Sequence, residues 1–495
     1  MSFAKIYTRG LLGLHAPQIE VEVHISSGLP SLTIVGLAEA AVRESKDRVR
    51  SAIINSGFLF PTKRLTINLA PADLPKDGSR LDLPIALGIL IASGQLPENC
   101  TDGFEFIGEL ALDGHLRPVT GILPIAMACQ QAQHRLLVPT NNLEEANQLP
   151  QFEVYAANHL QDVCAHFLGT SHLSASPKHE NLTTTQYQFD LADVKGQLRP
   201  RRALEIAAAG GHSLLFKGPP GTGKTLLASR LPSILPPLNA QENLEVASIY
   251  SVANAQHTFG QRPFRAPHHT ASAIALVGGG SQPKPGEITL AHLGVLFLDE
   301  LPEFDRKVLE VLRQPLESKE IVISRAARQM TFPANFQFIA AMNPCPCGYA
   351  FNQDSRCQCS PENIQRYQNR ISGPLLDRID LHIDVPPLQT KELQDQSPTE
   401  SSTIVRQRVM KAYDKQMLRQ QCLNQALSPN LLEQYAQLDE NSAKIIEMAQ
   451  QRLNLSARAY HRVLRVARTI ADLAESEIIS SSHLTEALSY RGHST

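Results

Sequence analysis

Tryptophan does not occur in the 495 residues, which leaves aromatic packing to 10 Tyr and 17 Phe. No stretch approaches the roughly 18 apolar residues that a membrane-spanning helix requires. The apolar run inside the N-terminal MSFAKIYTRGLLGLHAP is too short for a signal peptide, so a cytoplasmic protein with no membrane partner is expected. Cysteine is scarce: there are eight, and four of them crowd into residues 345–359. In a reducing compartment that distribution argues for metal or reduced thiols over a disulfide framework. An excess of one charge sign is lacking too. With 46 Lys and Arg against 48 Asp and Glu the formal net charge is −2, so no global positive field advertises nucleic acid and any such contact must be local. A further gap concerns one residue type, since no lysine occurs between Lys76 and Lys178.

What is present is an ordinary folding composition, 42% hydrophobic and 19% charged, long enough for about three domains. Over residues 1–168, short β-type runs (IEVEVHIS, SLTIVGL, RLTINLA, RLLVP) alternate with helical patterns such as EAAVRESKDRVRSAIINSG and GILPIAMACQQAQH, which predicts a compact α/β domain. Residues 169–188 are rich in Ser, Thr and Asn without periodicity and read as a linker. A second α/β unit is expected over 189–395, where SLLFKG, VLFLDE and FQFIAAMN are near-continuous apolar runs of the kind buried in parallel sheets. The pattern over 396–495 is helical.

GPPGTGKT, comprising Gly218, Pro219, Pro220, Gly221, Thr222, Gly223, Lys224 and Thr225, fits the phosphate-loop pattern between an apolar strand and a helix. Glycines let backbone N–H groups wrap phosphates, the helix N-terminus favours negative charge, Lys224 reaches the β- and γ-phosphates, and the Thr225 hydroxyl can ligate Mg²⁺. About 75 residues on, GVLFLDE ends an apolar strand in two carboxylates. Asp299 suits the magnesium side and Glu300 the polarisation of an attacking water. ATP and Mg²⁺ are the expected cofactors.

The segments RPFRAPHHTASAIALVGGG, PKPGEITLAHLGVLFLDELPEF, NPCPCG and RISGPLLDRIDLHIDVP together resemble the YifB/ComM family of magnesium-chelatase-like AAA+ proteins over nearly the whole chain. The resemblance implies a Lon protease-like N-terminal domain of the ribosomal S5 domain 2-like class, an AAA+ P-loop NTPase module and a helical C-terminal lid. It implies a homo-hexameric DNA helicase that drives branch migration in natural transformation, with single-stranded or branched DNA in the central pore. It gives Asn343 the sensor-1 role of positioning the water, Arg378 that of an arginine finger offered across a subunit interface, and Arg458 that of sensor 2. The other function class in view is an ATP-driven chelatase-like or regulatory remodeller of a protein partner.

PKDGSRLD at residues 75–82 resembles the serine-bearing turn of Lon-type proteases, but the serine position holds Arg80, with Ser79 beside it, and no lysine follows to act as base. The dyad is missing, so proteolysis is not expected. Two further features bear on function. Cys345, Cys347, Cys357 and Cys359 form two C-x-C pairs separated by nine residues, a spacing that can gather four thiolates on one Zn²⁺ or leave reduced thiols. EIVIS and QMTFPA flank a basic tip, RAAR. The resemblance implies that the equivalent hairpin projects into the ring, which would bring Arg325 and Arg328, with Lys319, to DNA phosphates; Lys284 in a preceding loop either joins them from a second insertion or belongs to a plain surface loop. A solvated hairpin end or an intersubunit ion pair is the other reading of that tip. His268 and His269 in APHHT read as a loop pair satisfied by their neighbours.

Overall fold

Side-chain alternation along Gln18–Ser26 and Arg64–Ala70 puts every second residue in the interior, as a half-buried strand demands. In the computed structural model these strands join a seven-stranded mixed sheet, in the order Ser31–Val35, Arg64–Ala70, Gln18–Ser26, Phe3–Arg9, Phe104–Phe106, Arg135–Pro139 and Val154–Ala157. The structure describes residues 3–36, 40–74, 76, 78–176, 187–280, 283–325, 328–350, 356–388, 392, 399–453 and 455–491. The chain divides into two compact units, one made of residues 1–183 and 243–259, the other of 184–242 and 260–495.

In the first unit the apolar run LPIALGILIA is a helix, Asp82–Ala92, buried at every position. It lies directly on the sheet because Gly88 carries no side chain: a Cβ there would come within 2.6 Å of Val23 Cγ2. Asp82 starts the helix and pairs with Arg48 Nε at 2.8 Å. Burial raises its pKa, and the Arg48 hydrogen bond opposes the rise. The unit also takes in the segment 243–259. Leu244 and Ala247 pack with Ile122, Leu123 and Leu149, and Gly121 N donates to Ser251 O at 3.1 Å.

The second unit is built on a five-stranded parallel sheet in the order Phe264–Arg265, Val295–Leu298, Gln337–Met342, Leu214–Lys217, Leu381–Asp384. The three central strands are the apolar runs read from sequence. The strand within DRIDLHID was not separately anticipated; it pairs with Leu214–Lys217 and forms an edge. Helices Leu198–Gly210, Lys224–Ile234, Ser402–Gln420 and Ala457–Leu473 supply the remainder of one continuous apolar core. A two-stranded antiparallel hairpin, Glu320–Arg325 with Arg328–Pro333, runs between the strands Val295–Leu298 and Gln337–Met342 in sequence.

Candidate active site

The strand Leu214–Lys217 hands the chain to helix Lys224–Ile234 through a loop that only glycine permits at two points, Gly221 at φ 76° and Gly223 at φ 85°. A Cβ on Gly221 would meet nothing within 4 Å, so at this position it is the backbone conformation and not crowding that calls for glycine. Gly218 is needed for a different reason, since a Cβ there would lie 2.3 Å from Val385 O. Lys224 is buried and gives its ammonium protons to Gly218 O and Pro219 O, both at 2.7 Å, and to Asn343 Oδ1 at 3.1 Å. Burial lowers its pKa, and the charges of Asp299 and Glu300 resist.

Thr225 Oγ1 donates to Asp299 Oδ2 at 2.5 Å, so the hydroxyl and carboxylate expected to share a magnesium ion already face each other. An oxygen-only pair at the mouth of a phosphate loop fits a hard divalent cation. Glu300 has left-handed backbone, φ 51° and ψ 48°, which costs a non-glycine residue about 1–3 kcal/mol. Its N–H is held by Asp299 Oδ1 at 2.9 Å, and its carboxylate lies 3.3 Å from His269 Nδ1. His268 instead meets Thr270 Oγ1 at 2.9 Å. His268 is thus satisfied within the loop, as expected, whereas His269 meets the carboxylate proposed to polarise water, a contact that APHHT alone does not reveal.

Arg378 and Arg458, 80 residues apart in sequence, come together on one carboxylate. Glu317 Oε1 lies 2.6 Å from Arg378 Nη2 and 3.3 Å from Arg458 Nη2. Arg378 also donates to Pro374 O at 2.6 Å. Beside them Arg462 reaches the buried Asp380 at 3.4 Å. Burial alone would raise Asp380, but the hydrogen bond and charge of His212, with Arg462, bring it well below the usual carboxylate range.

The four cysteines converge, with all sulfurs within 4.8 Å of one another. Cys345 is buried and stands 3.3 Å from Cys347 and 3.8 Å from Cys357. The Tyr349 backbone N–H, followed by the neighbouring thiols, holds Cys347 down at about 6, which favours the thiolate that ligates metal. The turn after Cys347 packs on the phosphate loop: a Cβ on Gly348 would fall 2.6 Å from Pro220 Cδ.

Arg325 and Arg328 are directly opposite each other at the closed end of the hairpin; their side chains and residues 326 and 327 lie outside the described set. Lys319 is not at the tip. It sits at the hairpin's base with φ 62°, where burial lowers its pKa against the opposing charge of Asp380. Lys284 is exposed in a separate pair of short strands, Gly278–Gly279 with Lys284–Pro285.

Family profiles match in three consecutive parts: magnesium chelatase subunit ChlI over residues 190–393, the same subunit over 21–142, and its C-terminal region over 399–491. YifB of Salmonella typhimurium is 51% identical over 99% of this chain and 97% of its own length. The competence protein ComM of Haemophilus influenzae is 50% identical over 99% and 98%. The chain belongs to the YifB/ComM family of magnesium-chelatase-like AAA+ proteins. Family membership makes the second unit an ATPase-type AAA+ module, with ATP and Mg²⁺ as its implied ligands, and the helices from Ser402 onward its C-terminal region. Lon protease 2 of Bacillus subtilis is 25% identical over 178 residues, 33% of this chain and 32% of that protein. The family's Lon-like region here has Ser79 donating to Glu109, Glu109 lying 3.6 Å from Arg117, and Arg80 reaching Thr120 O at 3.3 Å, so the partner of the serine hydroxyl is a carboxylate and not the lysine that a protease needs. Among the described residues no helix is long and apolar enough to cross a membrane.

Proposed function

We propose that this protein is the subunit of a homo-hexameric, cytoplasmic AAA+ motor that couples ATP hydrolysis to movement along DNA, as a helicase driving branch migration during natural transformation. The observation that carries the reading is full-length likeness to a competence protein in a chain whose phosphate loop, Asp299, Glu300 and Asn343 meet at one site. Lys224 would hold the β- and γ-phosphates. Thr225 and Asp299 would hold Mg²⁺, which supplies charge neutralisation on the phosphates. Glu300 would take a proton from the attacking water that Asn343 orients, and Arg378 and Arg458 would meet developing charge. In a ring, Arg325 and Arg328 would line the axis, six copies giving about a dozen arginines where a strand passes, so binding needs no basic surface elsewhere. The four thiols would take one Zn²⁺, and the Lon-like unit would serve assembly or substrate guidance.

The test is ATP turnover with and without single-stranded and forked DNA, together with strand separation on the fork. Stimulation by DNA and unwinding are expected. Turnover indifferent to DNA would discard this reading in favour of a remodeller of a protein partner, which the three matches to a chelatase subunit support.

A further inference from the structure

Glu317 lies in the short helix Arg313–Ser318, three residues ahead of the first hairpin strand, Glu320–Arg325. A single carboxylate oxygen there receives two guanidiniums, at 2.6 and 3.3 Å. The Arg458 and Glu317 side chains are each 52% exposed and screened by water, so the demand for a partner falls on Arg378. The Arg378 side chain is 9% exposed and its Nε is buried without a hydrogen-bond partner, an arrangement that costs free energy until a further acceptor arrives. The two arginines are therefore gathered on one carboxylate, and the buried guanidinium of Arg378 is in a holding position that a second acceptor would improve.

The joint between Glu317 and the hairpin is stiff. Lys319 N donates to Pro315 O at 3.0 Å, closing the helix, and Lys319 O accepts from Ala334 N at 2.7 Å, just past the returning strand Arg328–Pro333. Ser318 Oγ donates to Glu320 O at 2.9 Å. Both hairpin strands thus end on the residue that terminates Glu317's helix, so displacement of the hairpin carries the carboxylate with it.

We infer that Glu317 is a latch: a positioning residue that retains Arg378 and Arg458 as a pair within their own subunit and lets them go when the hairpin moves. The inference rests on the proposed roles of Arg378 and the hairpin. It assigns the coupling between the nucleic-acid element and hydrolysis to one carboxylate and explains why two arginines from distant segments would act together.

The experiment compares Glu317→Gln, which keeps the shape and removes the charge, with Glu317→Asp, which keeps the charge, in the full-length protein. Without DNA, Glu317→Gln should raise kcat several-fold with KM for ATP changed less than twofold, and adding Arg378→Ala should return kcat to the level of Arg378→Ala alone. Glu317→Asp should stay near wild type. The increase produced by DNA should shrink toward onefold in Glu317→Gln. A DNA-free kcat in Glu317→Gln at or below wild type, with nucleotide binding intact, overturns the latch, as does equal loss of activity in both variants, which marks a merely structural role. Absence of DNA stimulation in the wild type counts against the motor reading alone, because the latch is judged on the DNA-free rates.

Discussion

At the scale of single residues, the backbone of Glu300 holds a left-handed conformation beside Asp299 and His269, and strain of this kind persists where surrounding structure fixes a side chain for chemistry. Glu300→Gln should therefore bind ATP normally and lose turnover by about 10²–10⁴-fold, the range for removing a general base; nucleotide binding by fluorescence and single-turnover hydrolysis separate the two. Lys224→Ala should lose binding itself. Mixing Arg378→Ala with Glu300→Gln subunits, each inactive alone, should restore some activity by forming sites with an intact base and an intact finger; normal turnover of Arg378→Ala alone, or no recovery on mixing, rejects the finger. GPPGTGKT and LFLDE were legible because their spacing is local and the chemistry demands those residue types. Glu317 and His269 were not, since each acquires its partner only when separate segments meet: Glu317 is 61 residues from Arg378, and His269 is 31 from Glu300.

At the scale of elements, the hairpin predicted from EIVIS and QMTFPA occurs as Glu320–Arg325 with Arg328–Pro333, because a β-branched run (Ile321, Val322, Ile323) and a second short β run around a tight turn leave few other solutions. Replacing Arg325 and Arg328 by Ala should leave DNA-free hydrolysis and assembly near wild type, weaken DNA binding most visibly at moderate salt, and abolish unwinding; binding titrations at two salt concentrations and a strand-displacement assay decide it. The apolar run LPIALGILIA cannot be assigned from its pattern, since a helix buried all round shows no periodicity to separate it from a buried strand. The thiol cluster adds a prediction of its own. Metal analysis of protein purified without chelator should find one zinc per chain and well under one after Cys345→Ser. Gly348→Ala, which must both adopt φ 86° and displace Pro220, should raise KM for ATP without removing the metal.

For the whole molecule, acid is the expected weakness of both units. Burial holds His257, in the first, and His382, in the second, neutral down to about 4, against an ordinary 6.5. His257 is stacked on Tyr250 at 4.5 Å. Between those values the unfolded chain binds protons that the folded one does not, so the stability is complete above about pH 6.5 and drains away toward pH 4, by about 2 kcal/mol per histidine at pH 5. Thermal unfolding at pH 7 and pH 5 should show the drop, and His382→Gln should flatten part of it. The order in which the chain is made gives another consequence. A ribosome delivers residues 1–183 first, but the segment 243–259 that completes their unit emerges only after the phosphate loop has been synthesised. The N-terminal unit must wait, with Ile122 and Leu123 short of neighbours, while some sixty residues of its successor are added. A fragment ending at residue 183 should consequently melt at lower temperature than the same unit in the intact chain, and a synthetic peptide of residues 243–259 should raise its melting point. A unit begun before the phosphate loop is thus closed only by a segment made after it.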